Sequence, residues 1–358
     1  MNNWNFIMAA VQGRAHVASG TPCQDKVCCM AENGCTVVAL ADGAGSARLS
    51  HHGAERAARC MCLHLCRHFD RMFLEADALA VKRRLTAKLT AQLSLLAMEL
   101  GCRTADLAST LLVAAVKDGR YILIHLGDGV IAYRRNGELR TASRPHNGEF
   151  ANCTFFTTSP KALSKMNILK GHLNGIDGFA LMSDGSAAGL YSKREDRPAA
   201  VLGKIMDYCT YYQSGPLEEW LQESLADGVR AATTDDCSLA VLAMENPAFR
   251  GMRELPLHTL CELTGIPPLH PSSRRRVNRL LAVHAALSRP LERRELARLS
   301  HTRLRHLHKP LRRLQEARFI RPLPNGRFVS ATRGQALSAP GAAPTASGCR
   351  VPSLRRTV

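Results

Sequence analysis

The fold is decided by three stretches: TVVALADG at residues 36–43, YILIHLGDG at residues 121–129 and GFALMSDG at residues 178–185. Each is a short, β-prone apolar run that stops at Asp-Gly, so each reads as a buried strand ending in a turn. A fourth acidic pair, Asp235-Asp236, stands just ahead of the apolar run at residues 238–244. With these strands side by side, Asp42, Asp128, Asp184 and Asp235 project from the rims of one sheet assembly. Carboxylates a few ångströms apart in a partly buried site repel strongly unless a cation neutralises them. Oxygen ligands without a matching His or Cys set favour Mg²⁺ or Mn²⁺ over zinc. Asp-Gly is also a strong hairpin-turn signal, because both residues tolerate positive φ. Turn chemistry accounts for any one of these sites. It does not account for three strand-Asp-Gly units and an Asp-Asp-x-Ser within one domain-sized segment.

The chain is 358 residues long, enough for one large domain or two, and nowhere holds 18 consecutive apolar residues, which argues against a membrane-spanning helix. The first residues, Met1-Asn-Asn-Trp-Asn-Phe6, lack the basic-then-apolar order of a secretory signal. Thirteen cysteines in such a chain are read as reduced thiols, and the expected location is cytoplasmic. Charge is unevenly spread. Residues 270–337 carry seventeen Lys/Arg against three Glu, whereas residues 1–250 have a net charge of only +2. Two segments so different in charge read as two modules with different partners.

Along the chain, strands are expected at residues 4–11, 26–32 and 35–41, followed by helices at 51–69, with Ser50 as N-cap, and 78–100. Strands return at 109–117, 121–126, 130–135 and 138–141, with Asn136-Gly137 as a two-residue hairpin turn. Residues 155–159 and 178–183 continue the sheets. Helices near 197–212 and 217–232 precede the last strand at 238–244. The order implies two stacked sheets covered by helices. A Pro-containing linker with one short helix is expected over 246–273. Beyond it, helices at 275–288, 291–299 and 302–317 and a hairpin around Asn325-Gly326 give the pattern of a winged helix-turn-helix over 274–335. Pro310 predicts a kink or an early restart of the third helix. Residues 336–358, rich in Ala, Pro, Ser and Gly, read as a disordered tail.

The motifs Cys23-Gln-Asp25, Ala41-Asp-Gly-Ala-Gly45, Ala108-Ser-Thr110, Gly127-Asp-Gly129, Ser183-Asp-Gly185 and Asp235-Asp-Cys-Ser238 occur in one order. In that order residues 1–245 resemble the PP2C-type (PPM) metal-dependent Ser/Thr protein phosphatases in their short bacterial form. The resemblance implies an α+β fold, a four-layer αββα sandwich, with a binuclear Mn²⁺/Mg²⁺ centre between the sheets. It implies that Asp42 bridges two ions, that the Gly43 carbonyl ligates one, and that Asp184 and Asp235 hold the other. Asp25 then sits behind the ligands or reaches an ion through water, and Asp128 matches a ligand to a third ion. The implied reaction is attack on phosphorus by a water that the ions acidify, without a phosphoenzyme. The implied substrate is a phosphorylated protein, a Ser/Thr kinase or its targets.

The sequence departs from that family's pattern in four places. The phosphate-binding Arg falls at Gly20, a motif Glu becomes Gln24, a His becomes Ala44, and a second third-ion Asp falls at Ala188. Arg14, Arg48 and Arg144 are candidates to supply the missing positive charge. Gly20 and Gln24 support an alternative, a catalytically weak phospho-sensor regulating the basic module. The set Cys60, Cys62, Cys66, His64 and His68 is better read as small residues packed in a helix than as a metal cluster, and His125 as a core residue. In the basic module, Arg303, Arg305, Lys309, Arg312 and Arg313 on or beside the third helix and Arg327 on the hairpin are the residues expected to meet DNA, with an acidic protein as the rival partner.

Overall fold

A computed structural model describes residues 3–145, 154–245 and 251–332. The chain opens with β1 (Trp4–Val11), a short helix α1 (Arg14–Ser19), β2 (Lys26–Glu32) and β3 (Cys35–Ala41). Two long helices follow, α2 (Ser50–Leu74) and α3 (Ala78–Leu100). Next come β4 (Leu111–Lys117), β5 (Arg120–Leu126), β6 (Val130–Arg135) and β7 (Glu138–Ser143). A single helical turn α4 (Ala162–Lys165) leads to β8 (Asn167–His172) and β9 (Ile176–Met182). Helix α5 (Asp184–Leu190) and the two-residue strands β10 (Tyr191–Ser192) and β11 (Arg197–Pro198) precede α6 (Val201–Tyr211), α7 (Ser214–Asp227) and β12 (Cys237–Met244).

The strands form two five-stranded antiparallel sheets, ordered β1-β12-β9-β6-β7 and β2-β3-β4-β5-β8. Alternation along β3 shows how they stack. Val37 and Ala39 join α2 and α3 residues such as Met61, Leu65, Phe69 and Leu85 in an outer core. Val38 and Leu40 face the other way, into an inner core with Leu112, Leu123, Phe179, Leu181 and Leu242. A strand buried on both faces has no polar period, which is why these segments read as continuous apolar runs. Helices α6 and α7 pack on the first sheet at β12 and β1. Two antiparallel sheets flanked by helices are thus the architecture of the described residues up to 245. No helix among the described residues is long and apolar enough to cross a membrane.

Several local expectations are corrected. Ser50 is not an N-cap: it lies inside α2, fully buried, and the cap position is Leu49, whose N–H donates to the Asp106 carbonyl at 2.9 Å. Helix α2 extends beyond residue 69 and is kinked at His68. Residues 155–159 form turns instead of a strand, and the Thr157 N–H donates to the Ser109 carbonyl at 2.8 Å. Their apolar side chains serve packing: Phe155 lies against the outer core and Phe156 against Ala44, Ala47 and Ala108. The Asn136-Gly137 turn is as expected, with both residues at positive φ, 51° and 82°.

Residues 251–332 belong to a second compact unit. It contains α8 (Leu257–Thr264), α9 (Ser273–Ala285), α10 (Arg293–Leu299) and α11 (His308–Glu316), then the hairpin β13 (Ile320–Pro322) and β14 (Phe328–Ser330). Helix α8, in the stretch expected as a linker, packs against α9 and α11. Arg313 on α11 closes this contact by donating to the Thr264 and Gly265 carbonyls at 3.3 and 3.2 Å. Buried Val277, Leu280, Leu296, Leu311, Leu314 and Phe319 make the core. The third helix starts at His308, not 302, so Pro310 falls in its first turn, where an N–H has no intrahelical acceptor to lose. The tail expected over 336–358 lies outside the described residues.

Candidate active site

The Asp-Gly turns converge because neighbouring strand ends lock them. At the end of β3 the Asp42 N–H donates to the Thr110 hydroxyl at 3.0 Å, and the Thr110 N–H returns a bond to the Asp42 carbonyl at 2.8 Å. After β5, Gly127 takes φ +122°, and a Cβ there would lie 2.6 Å from the Thr110 Cβ. Only glycine fits that approach, which delivers Asp128 to the rim. Across the sandwich, the Ser238 N–H donates to the Ser183 hydroxyl at 3.0 Å and the Ser183 N–H to the Ser238 carbonyl at 3.2 Å. That exchange ties the loop carrying Asp235 to the start of α5, where Asp184 accepts from the Gly185 N–H at 2.6 Å.

Carboxylate oxygens of Asp42, Asp128 and Asp184 lie within 4.8 Å of one another, the one such group of three potential metal ligands among the described residues. Asp128 also accepts a hydrogen bond from the Thr154 hydroxyl. Desolvation raises the Asp42 carboxyl well above the usual carboxylate range, and Asp25, Asp184, Asp235 and Asp128 raise it further. Asp184 is raised by desolvation and by Asp128 and Asp235. Asp235 is thus close enough to act on both, although it is the exposed member of its pair.

The two adjacent acids have different jobs. Asp236 is 2% exposed, accepts from the Gly13 N–H at 2.6 Å and the Gln24 N–H at 2.5 Å, and has His16 Nδ1 beside it at 2.9 Å. These bonds pin α1 and the Gln24-Asp25 segment to the loop and leave Asp235 facing the cluster. Asp25 is 1% exposed, and neither of its oxygens has a hydrogen-bond partner. Burial pushes it up to about 7, partly offset by the nearby Ser238 and Ser183 hydroxyls, with Asp236 and Asp184 adding to the rise.

Clustered acids that raise one another, and a buried carboxylate with nothing to bond, fit a bound divalent cation. The donor set fits a hard ion. Cys23 and Cys237 beside the acids are each pushed up to about 12, by burial first and by neighbouring Asp residues next, and neither belongs to the group of converging ligand atoms.

Other expected residues are placed as follows. His125 Nδ1 is 2.6 Å from the Ser143 hydroxyl and Nε2 is 3.1 Å from the Gly127 carbonyl, so its ring is held in the core. Arg144 is paired with Asp196, which also accepts from the Tyr191 hydroxyl. Arg14 donates to the Thr233 and Ala231 carbonyls at 3.2 and 3.4 Å, next to the Asp235 loop, and Arg48 is exposed on the segment between Asp42 and α2. Gly20 ends α1 in the left-handed conformation at φ +70°, a place an arginine would enter only with strain. Cys60, Cys62 and Cys66 are buried along α2. Sequence reasoning missed His16: its partner lies 220 positions away, and no local pattern marks it.

Comparison with known proteins gives the following. The protein phosphatase 2C family matches residues 12–226. Serine/threonine-protein phosphatase 3 of Escherichia coli (strain K12) is 28% identical over 171 residues, 46% of this chain, and the match spans only 66% of that relative. Among solved structures, a C. elegans sex determining protein superposes with a TM-score of 0.50 at 14% identity, covering 69% of this chain and 66% of that one. A Staphylococcus aureus serine/threonine phosphatase does so with a TM-score of 0.47 at 15% identity, covering 69% and 96%.

Proposed function

The chain belongs to the protein phosphatase 2C family of Ser/Thr protein phosphatases, and from that premise we propose that it hydrolyses phosphoserine and phosphothreonine in proteins with two Mn²⁺ or Mg²⁺ ions. The convergence of Asp42, Asp128 and Asp184 at the strand rims carries this reading. Asp42, the Gly43 carbonyl, Asp184 and Asp235 are the proposed ligands, with Asp128 as a ligand to a third ion. When bound, such ions supply an acidified water as nucleophile and neutralise charge developing on the phosphoryl oxygens.

The chain's own residues set the geometry. Thr110 fixes the backbone of Asp42, the Ser183–Ser238 exchange fixes Asp184 relative to Asp235, and Asp25 offers an acceptor on the buried side of the cluster. Arg14, whose guanidinium lies on the Thr233 and Ala231 carbonyls, and the exposed Arg48 are the proposed phosphoryl contacts, because Arg144 is already paired with Asp196.

In the C-terminal unit, three helices followed by a hairpin support the winged helix-turn-helix reading. Duplex DNA as its partner draws less support than the charge alone offered. Arg313 is spent on the α8 carbonyls, Arg312 pairs with Glu316 at 3.4 Å, and Arg327 pairs with Glu292 at 3.8 Å. Arg303, Arg305 and Lys309 stay exposed.

Phosphate release from a phosphothreonine peptide, measured with Mn²⁺, with Mg²⁺ and with EDTA, tests the proposal. Turnover that EDTA abolishes supports it. A folded, metal-loaded chain that binds the peptide without turnover would be the phospho-sensor that Gly20 and Gln24 favour.

A further inference from the structure

Between α9, the turn before α11 and α11 itself lies a cleft of about 690 Å³ in the C-terminal unit. Arg276 and Arg279 reach it from α9, Arg305 from the turn, and Lys309 and Arg312 from α11, and no Asp or Glu lines it. Arg276, Arg279 and Lys309 form no ion pair with a carboxylate among the described residues, and the hydrogen-bond partner of Arg305 is the neighbouring His306 at 3.2 Å. The floor is apolar, from Leu280, Ile266 and Pro310.

Arg312 has Glu316 beside it at 3.4 Å, but Arg276, Arg279, Arg305 and Lys309, gathered from several elements without an acidic partner among the described residues, repel one another, a cost that a bound anion would offset. The volume lies within the range of small-molecule sites. A concave pocket surrounds a compact multi-anion from several sides, and guanidinium forks match phosphate oxygens in pairs. The extended phosphate backbone of a duplex is met instead by a protruding helix or strand. We propose that this cleft binds a small molecule carrying several linked phosphates, an oligophosphate, with the apolar floor available to a nucleobase. The site is independent of the phosphatase reading, because it lies wholly within residues 266–313.

The test is calorimetric titration of the full chain in EDTA at about 0.15 M salt, with ATP in one arm and inorganic tripolyphosphate in the other. EDTA removes divalent ions, so the carboxylate cluster offers triphosphate nothing but repulsion. The expected result is saturable binding of one ligand per chain, weakened about tenfold or more by Arg279→Glu and by Lys309→Glu. Both side chains are exposed, so neither change threatens the fold. Arg298→Glu, at an exposed cation outside the cleft, should leave binding unchanged. Tighter binding of ATP assigns a nucleotide, and equal binding assigns the bare oligophosphate. Absence of binding, or binding that Arg298→Glu weakens as much as the cleft substitutions do, overturns the proposal. Duplex DNA binding lost in both cleft variants and untouched by excess ATP or tripolyphosphate overturns it too, in favour of a nucleic-acid surface.

Discussion

The Asp236 carboxylate accepts the backbone N–H of Gly13 at 2.6 Å, across 223 positions of sequence. With the Gln24 N–H and His16 on the same carboxylate, this bond fastens the N-terminal segment to the loop before β12. Asp236→Ala would leave two buried N–H groups unpaired, and should cost about 2–4 kcal/mol of stability, read as a lowered urea midpoint. Asp235→Asn, at the exposed neighbour, should leave the unfolding free energy within about 0.5 kcal/mol of the wild type while lowering turnover roughly a hundredfold. Equal destabilisation by both would contradict this division of roles.

Thr110→Val keeps the shape of a 3%-exposed side chain but removes the hydroxyl that receives the Asp42 N–H. The expected loss is about 1–3 kcal/mol, with a fall in kcat because Asp42 is no longer held. A chemical melt and a kinetic series on the purified variant would check both, and unchanged kinetics would show that Asp42 is positioned without Thr110.

Without metal, stability should depend on pH in a particular direction. Asp25 is raised to about 7, and Asp42 and Asp184 are raised with it, so the folded chain holds protons the unfolded chain has already lost. Stability therefore falls as pH rises from the ordinary carboxylate range near 4 toward 7. In EDTA the melting temperature should decline between pH 5 and about 7, and added Mn²⁺ should remove the decline. A metal-free melting temperature that climbs through this window would count against the cluster as described.

Arg144 is committed to Asp196, whereas Arg14 lies beside the Asp235 loop. Arg144→Ala should leave KM for a phosphopeptide within about twofold, and Arg14→Ala should lower kcat/KM about tenfold. The opposite order would make Arg144 the phosphate anchor and its pairing with Asp196 a contact that opens on substrate binding.

Much of the phosphatase fold was legible because β3, β5 and β9 are buried on both faces and so read as unbroken apolar runs ending in Asp-Gly. Those same endings announced Asp42, Asp128 and Asp184. What stayed hidden lacks such a signal. Helix α1 has six residues and buries none of them, so no apolar stripe marks it. Strand β8, NILKGH, is a sheet edge carrying Lys and Gly. The apolar Phe155 and Phe156 suggested a strand, but their burial is met by packing on helices and turns. The partition between Asp235 and Asp236 depends on contacts with Gly13, His16 and Gln24, which only the closed sandwich brings within reach.

The most direct test of the central claim is calorimetric titration of Mn²⁺ into the metal-free full chain, beside Asp42→Asn and Asp184→Asn, with circular dichroism to confirm that each is folded. The carboxylate cluster predicts at least two ions bound by the wild type and loss of binding at one or both sites in each variant. A folded wild type that takes up no Mn²⁺, or variants that bind it as the wild type does, would contradict a metal centre at these strand ends.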